Sequence, residues 1–143
     1  MYILTLVGAG ILTLLGVAHG ILTLRSSPSG GPLTPEDEGV RAAMSVVGGL
    51  GLEPSIRTTL WKAWVGFNLS HSLGVVAIGA LIGIPVLQRG GLPLDDPFWM
   101  TVALAAPWLY LVISIRYWFK QPTHAIGLAS ALITASVLID LAL

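Results

Sequence analysis

The sequence predicts an all-α integral membrane protein, a four-helix bundle with a short amphipathic surface helix in its first long loop. Three observations carry that prediction. The 143 residues are 55% hydrophobic and only 10% charged, with a mean hydropathy of +0.85. A soluble domain carries about 25% charged residues, so this chain cannot cover a water-facing surface and lipid must be its main solvent. Four apolar runs each have about the 20 residues that a helix needs to cross a bilayer. The polar residues are gathered in one long segment, 25–59, and in short turns elsewhere.

The first span covers residues 2–24 and is interrupted only by His19 and three threonines. Threonine is tolerated there because its hydroxyl bonds the carbonyl of the preceding turn. Gly16 and Gly20 form a GxxxG pair that lets another helix approach closely. The run lacks a basic leader and a small-x-small cleavage site, so it is expected to be retained rather than removed as a signal peptide.

The long segment opens with SSPSGGP at 26–32, a loop by composition. Thr34-Pro35-Glu36-Asp37-Glu38 then reads as a helix start, with Thr34 as cap, Pro35 at the first position and acids in the first turn. Val40, Ala43, Met44 and Val47 share a face by 3–4 spacing. They predict an amphipathic helix on the membrane surface, ending near Gly48-Gly49. An ordinary connecting helix packed on the end of the bundle fits the same residues.

The second span covers 60–87, and 88–96 is a turn. Asp96-Pro97 caps the third span, 97–119. Pro107 in its middle cannot donate to the carbonyl of Ala103, which predicts a kink or a neighbouring donor. Lys120-Gln121 leads directly into the fourth span, 122–143, so the last two spans form a tight antiparallel pair. Four spans put both termini on one side. Arg25, Arg41, Arg57, Lys62, Arg116 and Lys120 fall on or near the long-loop side, and only Arg89 on the other. This asymmetry predicts a multi-pass protein of the cell membrane with a cytoplasmic long loop and extracytoplasmic termini. Trp61, Trp64, Tyr117 and Trp118 on one side, and Phe98 and Trp99 on the other, suit interfacial aromatic belts.

Several functions are excluded. Without cysteine there is no disulfide framework, thiolate ligand or thiol nucleophile. Net charge is zero and no basic patch supports nucleic-acid binding. No Walker, GxSxG or GxGxxG motif occurs in a strand–helix context.

The residues that call for a reason stand in the second span. Asn68, Ser70, His71 and Ser72 lie within an apolar run, and polar groups in hydrocarbon cost free energy unless partnered. Trp61, Trp64, Asn68 and His71 follow 3-4-3 spacing and line one stripe; Gly66, Ser70 and Gly74 form a second stripe suited to close helix contact. At a rise of about 1.5 Å per residue, His71 lies roughly 16 Å below Leu60, near the bilayer centre, and His19 about 8 Å below Leu24. His124 is in the first turn of the fourth span. The histidines and Arg116 thus gather in the cytoplasmic half, as the lining of a polar pocket.

The pattern Trp-x-x-Trp-x-Gly-Phe-Asn-x-Ser-His-Ser-x-Gly over residues 61–74, with Arg-Tyr-Trp-Phe at 116–119, resembles a bacterial family of small four-span membrane proteins. The resemblance covers the whole architecture. It implies the four-span topology and marks Trp64, Asn68, Ser70 and His71 as family positions. That family has no assigned activity, so the likeness implies no substrate or cofactor.

Three readings of the polar residues stand. They are interhelical glue, at about 0.6–2 kcal/mol per bond. Or Trp64, Asn68, Ser70, His71, His19 and Arg116 bind a ligand in a small binding or accessory protein. Such a protein would be a homo-oligomer or a subunit of a larger membrane complex, its foreign helices packing on Gly79-xxx-Gly83 and Gly127-xxx-Ala131. Or the chain is an enzyme on a lipophilic substrate, with His71 as acid/base and Asn68 as donor to a developing oxyanion. Haem or a chlorophyll-like pigment on a single axial histidine is a further cofactor reading. Bis-histidine ligation is disfavoured because depths counted from the helix ends offset His19 and His71 by about two turns. A metal site is not expected from three histidines spread in depth.

Overall fold

The computed structural model describes residues 2–47 and 57–142. Five helices follow in order: α1 Tyr2–Leu24, α2 Glu38–Met44, α3 Leu60–Arg89, α4 Pro97–Tyr117 and α5 Lys120–Ala142. Among the described residues there is no strand, only isolated bridges at Ser27–Gly30 and Val47–Thr59. Helices α1, α3, α4 and α5 are each long and apolar enough to cross a membrane, which makes this an all-α multi-pass membrane protein. The chain divides into two compact units, Met1–Gly16 with Gly74–Leu143, and Val17–Leu73.

The first unit is a four-helix bundle built from the first part of α1, the later part of α3, and all of α4 and α5. Its core is Ala9, Leu12, Val75, Ile82, Ala103, Ile126, Ala129, Ile133 and Val137. Lipid tails are as apolar as leucine, so close packing rather than water exclusion holds such helices together. Small residues make the close approaches. A Cβ on Gly79 would lie 2.8 Å from the carbonyl oxygen of Ala9 and would overlap Thr13 Oγ1. One on Gly8 would lie 2.9 Å from the carbonyl oxygen of Ala129. Gly83 faces Ala9, and Gly127 faces Leu111 of α4. The Gly79/Gly83 pair and Gly127 therefore pack inside the chain, and Ala131 is exposed without them. The expectation that foreign helices pack on Gly79-xxx-Gly83 loses its support, while Ala131 of the second pair stays exposed.

Helices α4 and α5 run antiparallel, as expected from the short connection. Trp108 Nε1 donates to Thr134 Oγ1 at 3.0 Å, and Thr123 Oγ1 donates to the carbonyl of Ser114 at 3.3 Å. The buried Ser130 bonds its own helix at Ile126 O, which hides its hydroxyl at no cost to the packing. Asp96 caps α4 as predicted, accepting from Phe98 N at 2.9 Å. The turn lies two residues earlier than expected: α4 ends at Tyr117, Trp118 caps it in extended conformation, and α5 already begins at Lys120. Both α3 and α4 carry an interior proline, Pro85 and Pro107, and both are buried.

The second unit holds the end of α1, the loop, α2 and the start of α3. The loop is tied to itself: Ser26 Oγ accepts from Leu33 N, and Thr34 Oγ1 donates to Ser27 O at 3.0 Å. That commitment is why Thr34 does not cap a helix. Asp37 does so instead, its carboxylate accepting from Val40 N at 2.8 Å, and α2 begins at Glu38. The Arg41 guanidinium donates to the carbonyls of Pro35 and Glu36 and so fixes the approach to the helix. Helix α2 stops at Met44, before the predicted end; Gly48-Gly49 lies outside the described residues. On the expected apolar face Met44 is buried, while Val40, Ala43 and Val47 are exposed.

Candidate functional site

The second unit brings His19, Asn68 and His71 together. His19 Nε2 lies 2.8 Å from Asn68 Oδ1, and the His19 and His71 rings meet edge to face with centroids 5.6 Å apart. Close approach of the helices permits this. Gly20 has no side chain, and a Cβ there would lie 3.5 Å from Ser72 Cβ. Local hydroxyls bond their own helices around the cluster: Thr23, fully buried, donates to the carbonyl of His19 at 2.8 Å, and Ser72 donates to that of Asn68 at 2.8 Å.

Asn68 is itself anchored. Its Nδ2 donates to the carbonyl oxygen of Trp64, one turn earlier, at 2.8 Å. The Trp64 ring stacks on Trp61, centroids 5.2 Å apart and 27° between planes. Phe67 lies parallel to His71, with 11° between planes and centroids 6.4 Å apart, and is 72% exposed. The cluster is thus flanked by aromatic rings on α3. His19, Asn68 and His71 are all half-buried. His71 is not sealed in by close packing.

The contact overturns the expected offset between the two histidines. His71 is eleven residues into α3 and His19 five residues from the end of α1, yet they touch. Helix α3 therefore continues past the end of α1 by about six residues, roughly 9 Å. Depths counted from each helix's own end assume level ends, and these ends are staggered. Offset therefore no longer opposes paired histidines; their geometry does, because rings set edge to face, with one Nε2 already on Asn68, leave no flat slot for a macrocycle between them. Among the described residues no three side chains of His, Cys, Asp or Glu type converge as metal ligands.

No family model, curated protein or solved structure matches the chain. The site must be read from its own chemistry.

Ser70 is exposed and donates to the carbonyl of Phe67 at 2.9 Å. Its stripe does not make the expected helix contact over Gly66, where a Cβ would meet open space; Gly74, in the first unit, meets Tyr110 Oη instead. Arg116 belongs to the first unit, exposed in the last turn of α4, and His124 is exposed in α5 of that unit. Thr23, Phe67 and Gly20 were not singled out for the site. Thr23 and Gly20 lie at four-residue steps from His19 and from Gly16, which is the signal that marks them. A shallow depression of about 400 Å³ on the polar loop, between Ser29, Glu38 and Arg41, is separate from the cluster; its guanidinium already serves two carbonyls.

Proposed function

We propose that the chain is a small membrane protein that binds a lipophilic molecule at the His19–Asn68–His71 cluster of its second unit. The observation that carries this reading is the half-open state of the cluster. Three polar side chains converge within two apolar helices and are not fully covered. Groups at such a position are costly unless something that itself belongs in lipid completes them. Helix α3 has 30 residues; at about 1.5 Å per residue it spans some 45 Å, against roughly 30 Å of hydrocarbon. Its first turns, with Trp61 and Trp64, then stand at headgroup level, and the cluster lies about 8 Å below the end of α1 rather than at the midplane. A ligand reaching that depth enters from the bilayer and ends near the loop-side interface.

The expected outcome is retention. Extraction of the protein in native lipid discs, followed by mass spectrometry of the bound molecules, finds a lipophilic compound with the wild type. It is absent with the His19→Leu/Asn68→Leu double variant. Identical extracts would sink the proposal. The visible spectrum of the same sample decides the pigment reading, since a haem or chlorophyll band would displace the lipophilic ligand.

A second reading, an enzyme acting on such a molecule, is favoured by the pairing of a histidine with a neutral group that orients it. That pairing moves the candidate acid/base from His71 to His19, with Asn68 as its positioning residue.

The same proposal places the long loop in the cytoplasm. Arg25, Arg41, Arg57 and Lys62 flank that loop, against Arg89 alone at the turn between α3 and α4. The cysteine-free chain allows a direct test. Ser29 and Asp95 are both exposed; Gly90 is less suited because its φ of 77° disfavours a side chain. In intact cells an impermeant maleimide is expected to label Asp95→Cys and spare Ser29→Cys. The reverse pattern would invert the topology.

A further inference from the structure

We infer that the cluster recognises a neutral hydroxyl compound, a lipophilic alcohol or phenol, through His19 Nδ1 acting as hydrogen-bond acceptor. This rests on the proposed binding role of the same site and names the class of molecule it takes.

Trp64 fixes the orientation of the Asn68 amide. Its carbonyl oxygen can only accept, so the Asn68 atom 2.8 Å away must be the amide nitrogen. The other end of that amide, the oxygen, therefore faces His19. An amide oxygen can also only accept, so His19 Nε2 must carry the hydrogen. A neutral imidazole has one N–H, which leaves Nδ1 with a lone pair. The backbone of α3 has thus selected the tautomer of a side chain on α1, with Asn68 as the relay.

Among the described residues His19 makes no hydrogen bond other than the one to Asn68 that involves its ring. His19 is half-buried, and no buried side-chain nitrogen or oxygen among the described residues lacks a partner, so an unbonded Nδ1 is accessible. It presents an acceptor within the span, and an acceptor there is completed by a donor. A ketone, ester, ether or quinone offers only acceptors and would leave Nδ1 unpaired. An amine offers donors but arrives as a cation, which hydrocarbon penalises strongly. An un-ionised hydroxyl satisfies both conditions. Phe67, exposed and parallel to His71, adds an apolar flat surface beside it, which suits an aromatic or unsaturated body.

The test uses the full chain in lipid discs with ¹⁵N-labelled histidine. Resonances are assigned by comparison with His19→Gln, His71→Gln and His124→Gln. The expected spectrum shows His19 as the Nε2–H tautomer, and Asn68→Leu gives a mixture of tautomers. The probes are 2-naphthol, 2-methoxynaphthalene and 2-naphthaldehyde, alike in shape and differing in hydrogen-bonding character. 2-Naphthol is expected to shift His19 Nδ1 and to bind about tenfold more tightly than its ether, the value of one hydrogen bond. An Nδ1–H tautomer would overturn the inference and leave the binding role intact. So would equal binding of the three probes at the cluster. If none of them perturbs His19, His71 or the fluorescence of Trp64, the hydroxyl inference and the binding role fall together.

Discussion

Gly79→Val is expected to destabilise the first unit by at least about 3 kcal/mol, the upper range for overpacking a tight core. The contact it breaks is backbone to backbone. A Cβ on Gly79 meets the carbonyl oxygen of Ala9 at 2.8 Å and the nitrogen of Thr13 at 3.0 Å. A flexible side chain could rotate away, but a helix backbone can yield only by shifting the whole helix. Thr13 cannot make room either, because its hydroxyl is bonded to the same Ala9 carbonyl at 2.9 Å. Two controls separate this from a general intolerance to change. Gly127→Ala places its methyl near Leu111 Cδ1, at an ordinary 3.6 Å, and Gly66→Ala places one in open space. Both are expected within about 0.5 kcal/mol of wild type, as for substitutions away from tight contacts. Unfolding by titration of a denaturing detergent into mild micelles measures all three. A Gly79→Val protein as stable as these controls would show that the α1–α3 approach is not what holds the unit together.

These glycines also show where sequence reasoning stops. Spacing marks Gly79-xxx-Gly83 and Gly66-xxx-Ser70 equally as faces that a neighbour could approach. Only the first is used, and it is used within the chain. A small-residue pair states that close approach is possible; it does not say which helix arrives. The spans themselves were legible because hydropathy and length are properties of each segment alone. Asp96 was legible as a cap for the same reason. Thr34 was misleading because its hydroxyl had two competing uses, and closing the loop onto Ser27 won.

The candidate site was legible in its residues and not in its geometry. His19, Asn68 and His71 stood out as polar groups in the wrong solvent. Their meeting could not be read, because depth was counted from each helix end and the ends are staggered by about six residues, roughly 9 Å. Stagger is set by loop closure and helix packing, which are properties of pairs. The consequence is chemical. A histidine offset from its neighbour is a lone group, whereas one touching Asn68 has a chosen tautomer and so a defined role.

The double replacement His19→Leu/Asn68→Leu separates a structural from a functional reason for the cluster. Each single change leaves a partner exposed. Asn68→Leu strands the His19 Nε2–H, and His19→Leu strands Asn68 Oδ1. Each is expected to cost about 1 kcal/mol, within the range for hydrogen bonds between membrane helices. Removing both partners strands neither, and apolar side chains of similar size are at home in lipid. The double variant is therefore expected within about 0.5 kcal/mol of wild type, with a coupling of about 1–2 kcal/mol between the sites. If the cluster were glue, the fold would miss it: the double variant would lose the cross-helix bond outright and stay about 1–2 kcal/mol below the wild type. If it is a binding site, the double variant folds as well as the wild type and holds nothing. Stability without retention is the combination that only a functional role explains, because hydrocarbon offers no other reason to keep two polar groups that the bundle can do without.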